Sequence, residues 1–553
     1  MVNFILLLAF YIFIFFVGRG SLAILSKLNL ITLNNFDENK KYHNIPLHTF
    51  YPIIGLFIIG NLSIFFNFFI PLSNNFTFCM LFILLIGNFL KKLNIRIKIQ
   101  EIFLVLITLP ILSISSYLTG LSYDAGLYHL NYQKWLQDEK IILGLSNFHS
   151  RFGYSSIYDF INTNFWYFEN FLFQHFINLI FVAFFFAAIH NIYENSKNIN
   201  VKIGILSLLL YGFLDNFGFS GGKNGFIEIE GITKYDTPFG IMFLLTLVFI
   251  AIYYLERNQS NFEISLILIF ALFAFQMRVS GALLIIPLLP IFFVRGLGNT
   301  IKNNLFLVFF GVSNILKNLL TTGCLYFPIE ITCFESIKWY QQGYADLEKN
   351  SISFTLRSYS SKTDLNDWFE IWINKYEYNL PTLKNFLVAF IFLNIFNYFV
   401  LVNRKFSYIY VSFFVFNIFL VIYWIFTAPS FRYGIGFFLS FIFFGSMYVG
   451  NSIKYKYLFN KYLFMSLLFL TVLFLPRIDN YFEFLKNPTR IITIEPLIVE
   501  YVEKENGFGF SPLTHNEICM INKYCSPKYS NLANLEETIY GYKYFELKIN
   551  NGS

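Results

Sequence analysis

The sequence predicts an all-α polytopic membrane protein, and two features of its composition carry that prediction. Of the 553 residues, 56% are hydrophobic and only 13% are charged, whereas about a quarter of the residues of a soluble domain are charged. Long stretches contain no charge at all, for example residues 4–17, 103–117 and 437–444. Uninterrupted apolar stretches of this kind are typical of helices that cross a bilayer.

Fourteen apolar segments follow one another along the chain, and we expect twelve to fourteen of them to span the membrane. The third, eighth and ninth are short for a span, so a tilted or re-entrant path is open for them. The first lacks a basic flank and a clear cleavage site, which favours a span over a signal peptide. The segments are residues 2–17, 49–70, 76–90, 100–119, 169–190, 202–219, 237–255, 262–276, 280–294, 304–320, 383–402, 407–427, 432–449 and 457–475.

The basic residues predict one orientation for the whole chain. The connection at 91–98 carries four Lys and Arg residues, and such short loops face the cytoplasm. Alternation then places the other basic connections on the same side, together with an external N-terminus. These connections are 19–41, 197–202, Arg257, 295–302, Arg404 with Lys405, and 454–461. The net charge of +7 is explained by these loops, so a nucleic-acid partner is not expected.

The opposite side holds the large polar regions. We divide the chain into a transmembrane domain, residues 1–475, with external loops at 120–165 and 321–381, and a small external C-terminal tail, residues 476–553, which is expected to dock on the outer face. The first loop reads as short amphipathic helices. Regular helical spacing would place Asp124, Tyr128, Asn131 and Trp135 on one face.

Four of the five cysteines fall in these external regions. Cys324 and Cys333 lie nine residues apart, Cys519 and Cys525 lie six apart, and Cys79 stands alone inside an apolar segment. An oxidising compartment permits disulfides, so we predict a disulfide within each pair. Free thiols remain an alternative, and a metal site is disfavoured because no cluster of zinc-ligand spacing accompanies either pair.

The candidate site is the set of polar residues at the outer ends of the apolar segments. Asp124 and Asp236 are the candidate catalytic residues, since a carboxylate can deprotonate an acceptor hydroxyl. The cations would hold a phosphate. For each residue the structural alternative is a helix cap or a snorkelling side chain. The candidate binding residues are Tyr128, His129, Trp135, His149, Arg151, Lys317 and Arg432.

The established catalytic motifs are missing from the sequence. It contains no phosphate-binding Gly-rich loop with Lys-Ser or Lys-Thr, no His-Glu-x-x-His and no Gly-x-Ser-x-Gly. ATP-driven transport and soluble-type hydrolysis are therefore unsupported. Asp124, His129 and His149 leave a divalent metal open, but the histidines lie twenty residues apart without a second carboxylate at helical spacing, so no cofactor is assigned.

The motifs of the chain resemble those of a poorly characterised family of bacterial polytopic membrane proteins. The resemblance starts with Tyr-Asp-Ala-Gly-Leu-Tyr-His-Leu at 123–130 and Gly-Leu-Ser-Asn-Phe-His-Ser-Arg-Phe-Gly at 144–153. Tyr433 is bulkier than the pattern leads us to expect. Further matches are Trp135, Asp236-Thr-Pro238, Thr322-Gly-Cys-Leu-Tyr-Phe-Pro328, Thr332-Cys-Phe334, Trp339, Ala428-Pro-Ser-Phe-Arg432, and Cys519 with Cys525.

That family is in turn similar in layout to integral-membrane glycosyltransferases of the GT-C type. The resemblance implies a GT-C-like bundle and a multi-pass enzyme of the bacterial inner membrane, with its large loops and tail in the periplasm. It also implies a polyprenyl-phosphate sugar donor and a glycan or lipid acceptor of the cell envelope. Two departures are that the acidic loop follows the fourth apolar segment and that no Asp-Asp or Asp-x-Asp pair occurs. The alternatives are a transporter or flippase of a lipid-linked envelope precursor and a non-catalytic assembly protein.

Overall fold

The helices of the bundle account for most of the chain. The computed structural model describes residues 1–31, 38–167, 169–218, 222–256, 260–340, 342–357, 368–375, 379–402, 408–447, 452–453, 460–503, 510–513, 518–526, 533–539 and 541–547. The helices are α1 Val2–Lys27, α2 Tyr51–Asn67, α3 Asn74–Ile86, α4 Ile99–Ile114, α5 Leu130–Asp138, α6 Ile157–Thr163, α7 Leu172–Asn195, α8 Ile199–Phe213, α9 Asp236–Glu256, α10 Asn261–Met277, α11 Ile285–Arg295, α12 Leu297–Lys302, α13 Leu305–Thr322, α14 Tyr344–Arg357, α15 Trp368–Lys375, α16 Asn379–Val400, α17 Tyr408–Thr427, α18 Ile435–Ser446, α19 Lys461–Leu473 and α20 Ile478–Lys486.

The strands are short and form only two-stranded antiparallel sheets among the described residues. Two of these sheets lie in the tail and consist of β5 with β6 and β7 with β8. The strands are β1 Lys41–Tyr42, β2 Ile45–Pro46, β3 Leu401–Val402, β4 Ser452–Ile453, β5 Tyr501–Glu503, β6 Phe510–Pro512, β7 Ala533–Ile539 and β8 Tyr542–Leu547.

Eight helices in the described ranges are long and apolar enough to cross a bilayer, and the pair α19 and α20, bent by 74°, raises the number to nine. Five shorter apolar helices account for the remaining predicted segments. All fourteen predicted segments thus lie on helices, and the chain is a polytopic helical membrane protein. Length alone supports fewer full spans than the twelve to fourteen predicted, because the fully described part of each shorter apolar helix has only 10–17 residues.

Close approach at glycines holds the first helices together. A Cβ atom on Gly55 of α2 would lie 3.0 Å from the backbone nitrogen of Gly18 on α1. Small residues allow membrane helices to pack backbone against backbone where no hydrophobic effect drives association. α7 and α9 occupy the centre of the bundle, with 89% of an apolar 18-residue stretch buried in each, compared with 33% in α17.

The predicted basic connections meet at one end of the bundle, which we call the basic end. Lys41 Nζ donates to Asn195 Oδ1 at 2.6 Å, and Asn94 N donates to Glu38 Oε2 at 2.7 Å. Ser196 Oγ donates to the carboxylate of Glu256 at 2.5 Å. The described parts of residues 38–44, 88–98, 195–198 and 256–263 thus cluster as the alternation predicts. Arg257, Arg404, Lys405 and Lys454 lie outside the described residues.

The predicted external loop, residues 120–165, and the tail meet at the other end, which we call the cavity end. Cys519 N donates to the carbonyl of Gly126 at 2.9 Å. Strand β8 runs beside residue 143, since Phe545 N donates to Leu143 O at 2.9 Å. The tail therefore docks on the first large loop, as we expected.

Candidate functional site

A cavity of about 320 Å³ opens at the cavity end. Several of its charged residues lie near the ends of apolar helices: Asp236 begins α9, Arg278 directly follows α10, and Lys317 lies five residues before the end of α13. The cavity also contains most of the predicted site. The predicted residues that line it are Asp124, Tyr128, His129, Arg151, Asp236, Lys317 and Arg432.

Backbone pairing brings the two candidate catalytic carboxylates together. Leu121 forms a parallel bridge with Ile232, so the segments that lead to Asp124 and Asp236 run side by side. Ser122 fixes the same junction, because its Oγ donates to Ile232 O at 3.1 Å and accepts from Ala125 N at 3.0 Å. Asp124 itself makes no side-chain cap to the helical turn that it begins. Helix capping, the structural alternative for this residue, therefore does not explain it.

An arginine connects the two carboxylates. Arg432 Nη1 donates to Asp124 Oδ2 at 3.2 Å, while its Nε lies 3.9 Å from Asp236 Oδ2. Arg432 thus has two carboxylate neighbours, and all three side chains line the cavity. The Asp124 and Arg432 side chains are 25% and 30% exposed, whereas Asp236 is 5% exposed. A ligand can therefore reach Asp124 and Arg432 more easily than it can reach Asp236.

A second arginine, Arg278, lies between the eighth and ninth apolar segments and completes the charge network. Arg278 Nη2 forms an ion pair with Asp236. Its guanidinium lies over the ring of Tyr433 at 4.5 Å and over that of Phe239 at 5.1 Å. Tyr433, the bulky departure from the family pattern, also accepts a hydrogen bond from Arg432 at 2.9 Å. This tyrosine therefore separates the two guanidinium groups.

Glu230 is a further acidic group that the sequence did not single out. Its Oε2 accepts from Thr237 N at 2.9 Å, and its carboxyl lies near that of Asp236. Burial, with Asp236 and Glu228 nearby, raises the pKa of Glu230 well above its ordinary value. The surroundings of Glu230 therefore favour its neutral form, and Asp236 is the carboxylate that pairs with the two arginines.

The remaining cations approach from other elements. Arg151 Nη1 lies 3.4 Å from Glu348 Oε1 on α14. Lys317 is 1% exposed, and its Nζ donates to the carbonyl of Ser155 at 2.6 Å. Among the described residues no carboxylate forms an ion pair with Lys317, so its charge is open to an anionic ligand.

The cavity wall is strongly cationic and incompletely hydrogen-bonded. Six cations and two carboxylates line it. Five buried polar atoms of its lining find no hydrogen-bond partner in the described chain, namely Tyr154 Oη, Ser155 Oγ, Arg278 Nη1, Ser280 Oγ and Asn314 Oδ1. Buried polar groups are rarely left unpaired, so these atoms point to a polar ligand or water. The cations are Arg151, Lys234, Arg278, Lys317, Lys349 and Arg432, and the carboxylates are Asp124 and Asp236.

Two predicted residues do not reach the cavity. Trp135, a candidate binding residue, is 2% exposed, packs against Phe148, Tyr524 and Phe545 and does not line the cavity. His149 is buried behind the wall, where its Nδ1 accepts from Arg151 N at 3.3 Å.

The prediction that Asp124, Tyr128, Asn131 and Trp135 share one face of a regular helix is also wrong. Residues Ala125–His129 form a single turn of π-helix before α5 begins, and such a turn contains an extra residue. The positions that follow it are rotated away from the cavity. Asn131 instead donates to the carbonyl of Cys525 at 2.9 Å in the docked tail.

Both predicted disulfides are present, between Cys324 and Cys333 and between Cys519 and Cys525. The first closes the loop that contributes residues 326–328 to the cavity. The second lies in the tail segment that docks on Gly126, where a Cβ would clash with Ile518. Cys79 is a free thiol. No group of three or more His, Cys, Asp or Glu side chains that could hold a metal ion is found in the described ranges.

Comparison with known proteins identifies the family but no function. No curated protein and no solved structure matches the chain. Residues 1–439 match the model of a family described as a domain of unknown function, DUF8201. The match includes every charged residue that lines the cavity and ends before the tail. Because it covers most of the sequence, the chain belongs to the DUF8201 family.

Proposed function

We propose that this protein is an integral-membrane glycosyltransferase that takes a sugar from a polyprenyl-phosphate carrier in bacterial cell-envelope glycan assembly. The observation that carries the proposal is the cavity in which Asp124 and Arg432 meet beside further cations at the ends of apolar helices. In this proposal the cavity end faces the periplasm of a bacterial inner membrane. The layout resembles that of GT-C enzymes, and this resemblance is part of the proposal.

The excess of cations supports a phosphate-bearing ligand. Arg278 and Arg432 pair with Asp236, whereas Lys317 contacts the Ser155 carbonyl and the Phe160 ring but forms no ion pair with any residue that the structure describes. An ammonium group buried with a single hydrogen bond is costly unless an anion compensates it. A phosphate at the end of a lipid chain reaches this level of the bundle because the charged side chains lie at helix ends.

The pairing of Asp124 with Arg432 supports a mechanism in which Asp124 becomes available as a base only when the donor is bound. In the structure the guanidinium of Arg432 occupies Oδ2 of Asp124. A donor phosphate would compete for Arg432 and release the carboxylate of Asp124. Asp124 would then accept the proton of the acceptor hydroxyl, which is general-base catalysis. Arg432 would keep Asp236 as a partner throughout.

The proposal is tested with purified protein in lipid vesicles that contain a labelled polyprenyl-phosphate sugar. The expected result is consumption of the donor with release of the lipid phosphate, dependent on Lys317 and Arg432. Lys317→Met should weaken donor binding, whereas Lys134→Met, which removes a surface cation paired with Asp138, should not. Movement of intact donor across the vesicle membrane without cleavage would instead identify a flippase.

A further inference from the structure

A histidine that lines the cavity is held in place by a carboxylate on the side of its ring away from the cavity. His129 Nδ1 lies 2.7 Å from Asp159 Oδ1, and both residues are buried, at 4% and 2% exposure. Because an ionised carboxylate only accepts hydrogen bonds, the proton between them belongs to Nδ1. Asp159 is itself held, since its Oδ2 accepts from Ser156 N at 3.2 Å. The carboxylate therefore sets both the orientation and the tautomer of the ring.

The π-helical turn explains why this histidine reaches the cavity. In an α-helix the side chain five residues after Asp124 would be rotated by about 140° from it, because each residue turns the chain by about 100°. A π turn closes bonds between residues i and i+5. It therefore brings His129 closer to the side of Asp124 than an α-helix would, and both residues line the cavity. π turns inside helices are frequent at functional sites.

The ring also has fixed neighbours on its sides. The ring of Tyr128 lies 4.2 Å from the imidazole centroid, and the ring of Tyr235 lies 6.0 Å from it at an interplanar angle of 82°. With Nδ1 bound to Asp159, Nε2 is the ring atom left to exchange a proton with a ligand.

We infer that His129 is a catalytic acid of this cavity, that Asp159 is its positioning residue, and that Nε2 gives a proton to the phosphate oxygen that leaves the sugar. The inference rests on the proposed function and adds a second proton-transfer residue to it. A carboxylate that holds Nδ1–H in this way keeps Nε2 directed at the reacting group.

The atoms of the proposed step balance. The acceptor O–H bond breaks and its proton passes to Asp124, while the acceptor oxygen bonds to the anomeric carbon of the sugar. The bond between that carbon and the phosphate oxygen breaks, and the electron pair stays on this oxygen. The imidazolium of His129 gives the oxygen its Nε2 proton and becomes neutral. Water then returns a proton to His129 and removes one from Asp124.

The first test needs no turnover and so stands apart from the proposed function. ¹⁵N-histidine NMR of the protein in lipid nanodiscs is recorded with and without a short-chain polyprenyl phosphate. We expect the resonances that vanish in His129→Gln to show a protonated Nδ1 and an Nε2 signal that shifts with the phosphate. An unprotonated Nδ1, or an Nε2 resonance whose chemical shift does not change when the phosphate is added, would overturn the inference.

A second histidine–carboxylate pair supplies the matched control. His48 Nε2 lies 3.2 Å from Glu101 Oε2, and both residues are buried but do not line the cavity. His48→Gln should remove different resonances, and these should not respond to the phosphate.

The second test is the pH dependence of sugar transfer. His129→Gln should lower the rate about 10²-fold, the lower range for loss of a general acid, and should remove the fall in rate at alkaline pH. Asp159→Asn, which can still accept from Ser156 N, should lower kcat with little change in KM. A wild-type pH profile in both variants would refute the role. Absence of transfer in every variant and in the wild type would refute the proposed function, and the NMR result would still decide the protonation and ligand contact of His129.

Discussion

Replacing Asp124 by Asn separates catalysis from folding. The ion pair between Asp124 and Arg432 is a quarter to a third exposed, and such pairs contribute at most about 1 kcal/mol to stability. Arg432 keeps Asp236 and Tyr433 as partners, so no charge is left unpaired. Loss of a general base costs about 10²- to 10⁴-fold in rate, or about 3–5 kcal/mol of activation free energy. We therefore expect normal membrane abundance and thermal stability with transfer lost.

The same substitution, which abolishes transfer, should tighten phosphate binding if the donor competes with Asp124 for Arg432. Removing the competing carboxylate frees up to about 1 kcal/mol, which would tighten binding of a short-chain polyprenyl phosphate by up to about 5-fold. Calorimetry of the purified variant measures this. Weaker binding in Asp124→Asn would refute the competition, and full activity would remove Asp124 from catalysis.

Asp138 offers a matched control. It lies at the end of α5, 30% exposed, and pairs with Lys134 at 3.0 Å and Lys523 at 3.2 Å. Asp138→Asn removes an ion pair of similar exposure outside the cavity, so it should change neither transfer nor phosphate binding. Equal losses in both variants would show that Asp124→Asn acts through general disruption of the loop.

Three further predictions concern the fold. Single cysteines at Ser336 and Asn94, both exposed, should react from opposite sides of the membrane with an impermeant thiol reagent in a background without Cys79, and reaction from the same side would refute the two-ended topology. Non-reducing peptide mapping of the wild type should find Cys79 as the single free thiol, whereas five free thiols would exclude both disulfides. Arg19→Met should destabilise the fold by about 3–5 kcal/mol, because it leaves the carboxylate of Glu38 buried at 2% exposure without its 2.5 Å partner. The double variant with Glu38→Gln should recover part of the loss in thermal unfolding, and equal melting of all three proteins would refute the argument.

The sequence predicted the helices and the grouping of charges because both follow from the bilayer. Apolar runs of sufficient length must be helical, and alternation assigns each connection to one of two ends. Asp124, Asp236 and Arg432 are more than a hundred residues apart in sequence, yet each flanks an apolar segment at the same end. The sequence therefore indicated that the three residues lie at the same height along the bundle, and all three line one cavity.

Contacts that depend on local geometry were not predictable in the same way. No periodicity indicated the π turn at 125–129, so Asn131 and Trp135 were placed on the wrong face. Asp159 lies thirty residues from His129 and reads as an ordinary N-terminal capping residue of α6, a role that it also has. Arg278 did carry a signal, since an arginine between two apolar segments must be paired at some site in the bundle.

The packing of α9 against α18 sets the distance between Asp236 and Arg432 in the cavity. The sequence shows this as an equal spacing between each charged residue and a glycine. α9 and α18 approach each other at Gly240 and Gly436, where a Cβ on Gly240 would lie 3.0 Å from the backbone nitrogen of Gly436. Asp236 precedes Gly240 by four residues and Arg432 precedes Gly436 by four residues. Four residues are about one helical turn. The glycine crossing therefore holds the carboxylate and the guanidinium at matching heights, 3.9 Å apart, within reach of the same ligand.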